Sequence, residues 1–157
     1  MILVPYTRLH PATARLANRY APGHVRVKID SLDTGAYWRL LAREWAAPGD
    51  LTIIEHDIGI RPNVIAGFNS CREPWCGHPY AIGAQLLVCL GCTRFTAELK
   101  AAEPDLLEQV GRDDTGGLPA RDWRRLDVRI LDELRRRGYT QHRHEPPVAH
   151  YHRYPTT

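Results

Sequence analysis

The chain has 157 residues, 43% of them hydrophobic and 25% charged, with a formal net charge of +3. That is enough to bury one core in an ordinary globular domain, and too little positive charge to argue for nucleic acid by itself. No apolar run has the length of a membrane helix. The opening Met1-Ile-Leu-Val-Pro-Tyr6 has no basic region followed by a long apolar stretch, so the expectation is a cytoplasmic protein without a secretory signal.

Ile2-Leu-Val4, ended by Pro5, reads as a first buried strand. Pro11 suits the first position of a helix whose inner face holds Ala14, Leu16, Ala17 and Tyr20, with Pro22-Gly23 as its stop. Val25, Val27 and Ile29 alternate with Arg26 and Lys28, which predicts a second strand ending at Asp30. A second helix, capped by Asp33 or Thr34, would present Tyr37, Leu40, Leu41, Glu44 and Trp45. After the turn at Pro48-Gly49-Asp50, Leu51, Ile53 and Ile54 open a third strand that runs into Glu55-His56-Asp57.

Strand, helix, strand, helix, strand with short connections predicts an α/β fold, a mostly parallel, Rossmann-like sheet flanked by helices in a single compact domain. Three polar strand endings then fall on one sheet edge, at Pro5-Tyr6-Thr7, at Asp30 and at Glu55-His-Asp57. Carboxylates at alternate strand positions share a face and repel unless a cation sits between them. Glu55 and Asp57 therefore point to a divalent-metal site at the carboxyl end of a strand, with His56 on the opposite face.

Further on, 62–68 is expected as a short helix and 71–80 as a loop carrying Trp75. Gln85–Leu90 is expected as an apolar strand, and Thr93 or Thr96 as the cap of a helix holding Ala97, Leu99 and Ala102. The composition of 113–117 predicts a flexible loop. A last helix runs from about Asp122, its cap, to Arg137, with Gly138 ending it. Trp123, Asp127, Ile130 and Leu134 fall on one face of that helix, so Asp127 is a carboxylate on an apolar stripe that needs a partner, a metal or a task.

The segment 139–157 is extended and histidine-rich, with His142 and His144 facing one way together, as do His150 and His152. Imidazole with carboxylate suits Mn, Fe, Co or Zn, whereas an oxygen-only site suits Mg or Ca. Four cysteines, in the pattern Cys71-x4-Cys76 and Cys89-x2-Cys92, are read as buried small hydrophobes in preference to a zinc site.

The ordered set resembles the GT-A class of nucleotide-sugar-dependent glycosyltransferases, in a compact, family-2-like form. Ile2 to Thr7 looks like that fold's opening strand, and Asp30 like its second-strand acid. Glu55-His-Asp57 resembles its acidic metal motif, and Gly91-Cys-Thr-Arg-Phe95 the segment beneath the donor sugar. Trp123-Arg-Arg-Leu-Asp127 resembles its later catalytic helix, although the family's Glu-Asp pair is Leu126-Asp127 here. The chain is also short for the class.

The resemblance implies a nucleotide-sugar donor, with Pro5, Tyr6, Thr7, Asp30, Glu55, Gly91 and Trp123 as substrate-binding residues. It implies a divalent cation, Mn or Mg, bound by Asp57 with His150 or His152, and Asp127 as the general base of an inverting transfer to an acceptor hydroxyl. The acceptor is not specified; a carbohydrate or small molecule stands slightly ahead of nucleic acid, and Trp75 and Tyr80 are candidate stacking surfaces. Two alternatives remain at this stage, a nucleotidyltransferase on a similar sheet and a non-enzymatic zinc module built from the four cysteines and the tail histidines.

Overall fold

The computed structural model describes residues 1–112 and 119–151, so the loop expected at 113–117 and His152 lie outside the described residues. The strands are β1 (Ile2–Tyr6), β2 (Val25–Lys28), β3 (Leu51–Ile54), β4 (Ile58–Gly59), β5 (Trp75–Gly77), β6 (Tyr80–Ile82), β7 (Gln85–Leu87), β8 (Cys92–Phe95), β9 (His142–Arg143) and β10 (Ala149–His150). The helices are α1 (Pro11–Tyr20), α2 (Ala36–Ala46), α3 (Val64–Ser70), α4 (Ala97–Ala102), α5 (Leu106–Val110) and α6 (Leu126–Arg136), the last preceded by a 3-10 turn at Trp123–Arg125.

Six strands form the central sheet in the order β2-β1-β3-β8-β5-β9. β1 pairs in parallel with β2 and β3, and β5 in parallel with β9, while β8 runs antiparallel to both its neighbours. Only β8 is reversed, so the mixed α/β architecture with a mostly parallel sheet expected from the sequence is present. Strand alternation distributes the core over two faces. Leu3, Ile53, Trp75 and Phe95 face α2, α5 and α6, whereas Val4, Ile54, Cys76 and Cys92 face the side of α1 and α3. β3 is therefore buried on both faces, which is why it reads as a continuous apolar run.

The helix starts follow local chemistry. Pro11 opens α1, and the His10 ring accepts the Ala12 amide through Nδ1 at 3.2 Å. Asp33 does not cap α2; its carboxylate takes the Gly35 amide at 3.1 Å in a preceding turn, and the helix begins at Ala36. Asp122 caps the 3-10 turn by accepting the Arg124 amide at 2.9 Å, so α6 starts four residues later than expected, at Leu126, and Asp127 stands in its first turn. Gly138, at φ 90°, closes α6 in the left-handed region that glycine occupies without strain.

Two segments differ from expectation. The loop expected over 71–80 contains β5, an inner strand of the sheet next to its edge, between β8 and β9, with Trp75 fully buried. Three residues after Pro74 offer no alternation to read, and burial comes from the neighbouring strands. The apolar run Gln85–Leu90 is not a core strand: β7 pairs only with β6 in a hairpin, and Leu86 and Leu87 are exposed. The inner strand is β8, which carries Arg94 into the sheet. Arg94 is accommodated because Asp50 accepts from its Nε and Nη2 at 2.9 and 2.7 Å. Of the two expected caps, Thr96 caps α4 through the Leu99 amide at 3.1 Å, and Thr93 lies within β8. Among the described residues no helix is long and apolar enough to cross a membrane.

A carboxylate-lined pocket at the ends of three parallel strands

The carboxyl ends of β1, β2 and β3 open into a cavity of about 470 Å³. Pro5, Tyr6 and Thr7 line it from the end of β1, Ile29, Asp30 and Ser31 from beyond β2, and Glu55, His56 and Asp57 from beyond β3. Tyr37 enters from α2, and Trp123, Arg124 and Asp127 from the start of α6. Eight of the residues named from sequence as substrate, metal or catalytic groups thus meet in one place, namely Pro5, Tyr6, Thr7, Asp30, Glu55, Asp57, Trp123 and Asp127.

Glu55 and Asp57 do not lie on a strand, as the alternation argument supposed. β3 ends at Ile54, and the Ile58 amide donates to the Glu55 carbonyl at 3.1 Å, closing a turn. The turn brings His56 to the same cavity rather than to the opposite face, with its Nε2 3.8 Å from Asp57 Oδ2. Alternation holds only for extended backbone, and nothing in Glu-His-Asp itself announces the bend.

Four acids, Asp30, Glu55, Asp57 and Asp127, line the pocket. Burial pushes the Glu55 carboxyl up to about 7; the hydrogen bond from Tyr37 opposes that rise, and the nearby Asp57 and Asp127 add to it. Tyr37 donates its hydroxyl to Glu55 Oε1 at 2.9 Å, and its own ionisation is pushed well up, by burial first and then by Glu55. The Asp127 carboxyl is also raised by burial, partly offset by the Val128 amide, which donates to Oδ1 at 2.7 Å. Asp30 takes the Leu32 amide at 2.9 Å. The cationic side chain on this wall, Arg124, is held by Asp122 through Nε at 2.8 Å and Nη2 at 2.5 Å.

The C-terminal segment returns to this edge. β10 pairs antiparallel with β4, setting His150 opposite Ile58, and the Tyr151 amide donates to the Asp57 carbonyl at 2.8 Å. A methyl group on Gly59 would stand 2.5 Å from the Tyr151 hydroxyl oxygen, so glycine here is what lets the ring lie down. His150 Nδ1 is 2.7 Å from the Ala81 carbonyl oxygen, which can only accept. The ring therefore donates there, and its Nε2 faces Asp57 Oδ2 at 3.2 Å. Two such atoms face one another favourably when a proton or a cation lies between them.

Some expected residues are elsewhere. Gly91 does not line the pocket; its amide donates to Tyr80 Oη at 3.2 Å and its carbonyl accepts from the Glu55 amide at 2.9 Å, so it braces the turn from behind. Trp75 and Tyr80 are buried and are not open stacking surfaces. Tyr37, Arg124 and His56 are pocket residues that the sequence reading did not assign. The helical stripe had placed Tyr37 in the core, and its polar end could not be foreseen to reach Glu55.

No family model matches the chain, and no curated protein matches its sequence. A crystal structure of a glycosyltransferase involved in the glycosylation of the major capsid of PBCV-1 superposes with a TM-score of 0.58 at 9% identity, covering 95% of this chain and 92% of that one. A crystal structure of a protein from STIV matches with a TM-score of 0.47 at 11% identity, over 96% of this chain and 80% of that one. The first likeness spans nearly both chains and shows one thing: this chain has a glycosyltransferase-like fold.

Proposed function

We propose that the protein is a metal-dependent glycosyltransferase that moves a sugar from a nucleotide-sugar donor to an acceptor hydroxyl, with inversion. The observation that carries this reading is the meeting of Asp57 and Asp127 in one strand-end pocket of a glycosyltransferase-like fold, with His150 placed against Asp57. A pocket with four carboxylates repels a diphosphate, so such a donor needs a cation to enter.

Asp57 and His150 are the groups that would hold that cation. Asp57 Oδ2 and His150 Nε2 are 3.2 Å apart, and the Ala81 carbonyl fixes the imidazole with Nε2 turned inward, the outer-sphere support that metal-bound histidines commonly have. A mixed carboxylate and imidazole set favours Mn over Mg. His152 lies outside the described residues. When bound, a divalent cation supplies Lewis-acid neutralisation of the charge on the departing nucleoside diphosphate.

The chain's own groups supply the rest. Pro5, Tyr6, Thr7 and Asp30 form the wall along which the nucleoside would lie, and Glu55 would contact the ribose or water at the cation site. Asp127 accepts the proton of the acceptor hydroxyl as that oxygen bonds to the anomeric carbon and the bond from that carbon to the phosphate oxygen breaks. Burial raises the basicity of Asp127 relative to a solvated carboxylate, which suits a general base. Trp123, more than half exposed at the pocket rim, is a surface against which an acceptor carbohydrate or small molecule can stack.

The test is a thermal-shift screen of nucleoside diphosphates with and without Mn²⁺, followed by product analysis with the donor that responds. A shift that needs both nucleotide and metal, and release of a nucleoside diphosphate, is expected. Release of pyrophosphate would instead identify a nucleotidyltransferase, and no response to any nucleotide would overturn the reading.

A further inference from the structure

On the far side of the sheet from α6, a second group of metal-ligand side chains assembles away from the carboxylate pocket. Cys71 ends α3, Cys76 lies in β5, and His144 follows β9; one ligand atom from each lies within 4.8 Å of the other two. Strand pairing creates the group. Cys76 is in register with His142, and the His144 amide donates to the Gly77 carbonyl at 2.9 Å, so the end of β9 is laid along β5. Residues this far apart in sequence meet only because that edge strand docks.

A second observation concerns unpartnered nitrogens. His144 Nε2 is buried and has no hydrogen-bond partner. The neighbouring His78 ring is 4% exposed and stacks on His144 with centroids 5.1 Å apart. His78 Nδ1 is 3.0 Å from the Pro146 carbonyl, to which it must donate, and this leaves Nε2 as a lone pair that is also buried and unpartnered. Two buried imidazole nitrogens without hydrogen-bond partners, close to two free thiols, are costly unless a ligand pairs with them.

We propose that Cys71, Cys76 and His144 bind a structural zinc ion beside the buried His78 ring. Two thiolates and imidazole are the donor set of closed, tetrahedral zinc sites, and four residues between the cysteines match the spacing common in them. Carboxylate, the mark of the pocket at the other site, is absent from this group. The ion ties the end of α3 to β5 and β9. Six residues after His144 the chain reaches His150, so the zinc also anchors the segment that closes on Asp57. This site does not depend on the glycosyltransferase reading.

The experiment is metal analysis of the full chain purified under reducing conditions, paired with replacement of the bound ion by Co²⁺. Stoichiometric zinc is expected, and the Co²⁺ form should show intense thiolate-to-metal charge-transfer absorption, which a site of Asp57 and His150 cannot produce. Cys71→Ser and His144→Ala should lose the ion and this absorption, while Cys89→Ser and Asp57→Asn retain both. The wild-type spectrum stands even if a variant fails to fold. Wild-type protein that takes up no zinc, a Co²⁺ form without thiolate absorption, or a metal-free Cys71–Cys76 disulfide under those conditions would overturn the proposal.

Discussion

Replacing Glu55 by Gln should remove a loss of stability that the wild-type protein suffers as pH rises. The side chain keeps its shape, and the Gln carbonyl can still accept the Tyr37 hydroxyl now bonded at 2.9 Å. In the native state burial lifts the Glu55 carboxyl from its ordinary 4.5 to about 7. Below the lower value the group is protonated in both states and costs nothing. Between the two the unfolded chain ionises while the native chain keeps its proton, so the native state binds more protons and stability falls as pH rises. Above the upper value both are ionised and the loss is complete. At about 1.4 kcal/mol for each pH unit across that gap, ionising Glu55 costs the fold roughly 3 kcal/mol. Urea unfolding of both proteins, from about pH 4 to about pH 8, gives the difference directly, because other titrating groups largely cancel. The wild type should lose about 3 kcal/mol relative to Glu55→Gln over that window. Parallel stability curves would show that Glu55 titrates as a solvated acid and that burial among the pocket's acids does not hold its proton.

Asp127→Asn should fold and bind nucleotide with Mn²⁺ normally but turn over roughly a hundredfold to ten-thousandfold more slowly; unchanged turnover removes Asp127 from the role of base. Gly59→Ala touches no ligand, yet its methyl group would meet the Tyr151 ring. It should therefore weaken the Mn²⁺-dependent thermal shift, and an unaltered shift would mean that the tail does not serve the metal. Asp50→Ala takes the carboxylate from Arg94, which is 8% exposed and keeps the Cys71 carbonyl as an acceptor, and strips the Ala97 amide of its acceptor at 2.8 Å. A fully buried pair loses 3–5 kcal/mol when broken, but Asp50 is partly exposed, so urea unfolding should show a loss of about 2 kcal/mol. Burial works to raise the Asp50 carboxyl, but Arg94 and the Ala97 amide hold it below its usual range. This stabilisation is therefore present at neutral pH and fades as acid protonates the native carboxylate.

The sequence determined those parts of the protein that local periodicity can encode. Val25, Val27 and Ile29 mark a strand with one polar side, Leu40, Leu41 and Trp45 a helix face, and Leu51, Ile53 and Ile54 a strand buried on both sides. Their order is enough to put three strand ends on one edge, and with them Pro5, Tyr6, Thr7, Asp30, Glu55 and Asp57 beside Asp127. Short connections and the fixed handedness of parallel crossovers leave the chain little choice there. Tertiary structure decided what depends on partners distant in sequence. Trp75 to Gly77 is a strand only because β8 and β9 flank it, and Leu86 is exposed because, among the described residues, its hairpin joins no larger sheet. Arg94 is inside because Asp50 waits for it. The bend after Ile54 brings His56 into the pocket, and Tyr37 becomes a site residue by meeting Glu55. His150 meets Asp57, and His144 meets Cys71 and Cys76, because strand pairing closes long stretches of chain. Spacing along a sequence carries no record of such closures, which are fixed by hydrogen bonding and burial over the whole molecule.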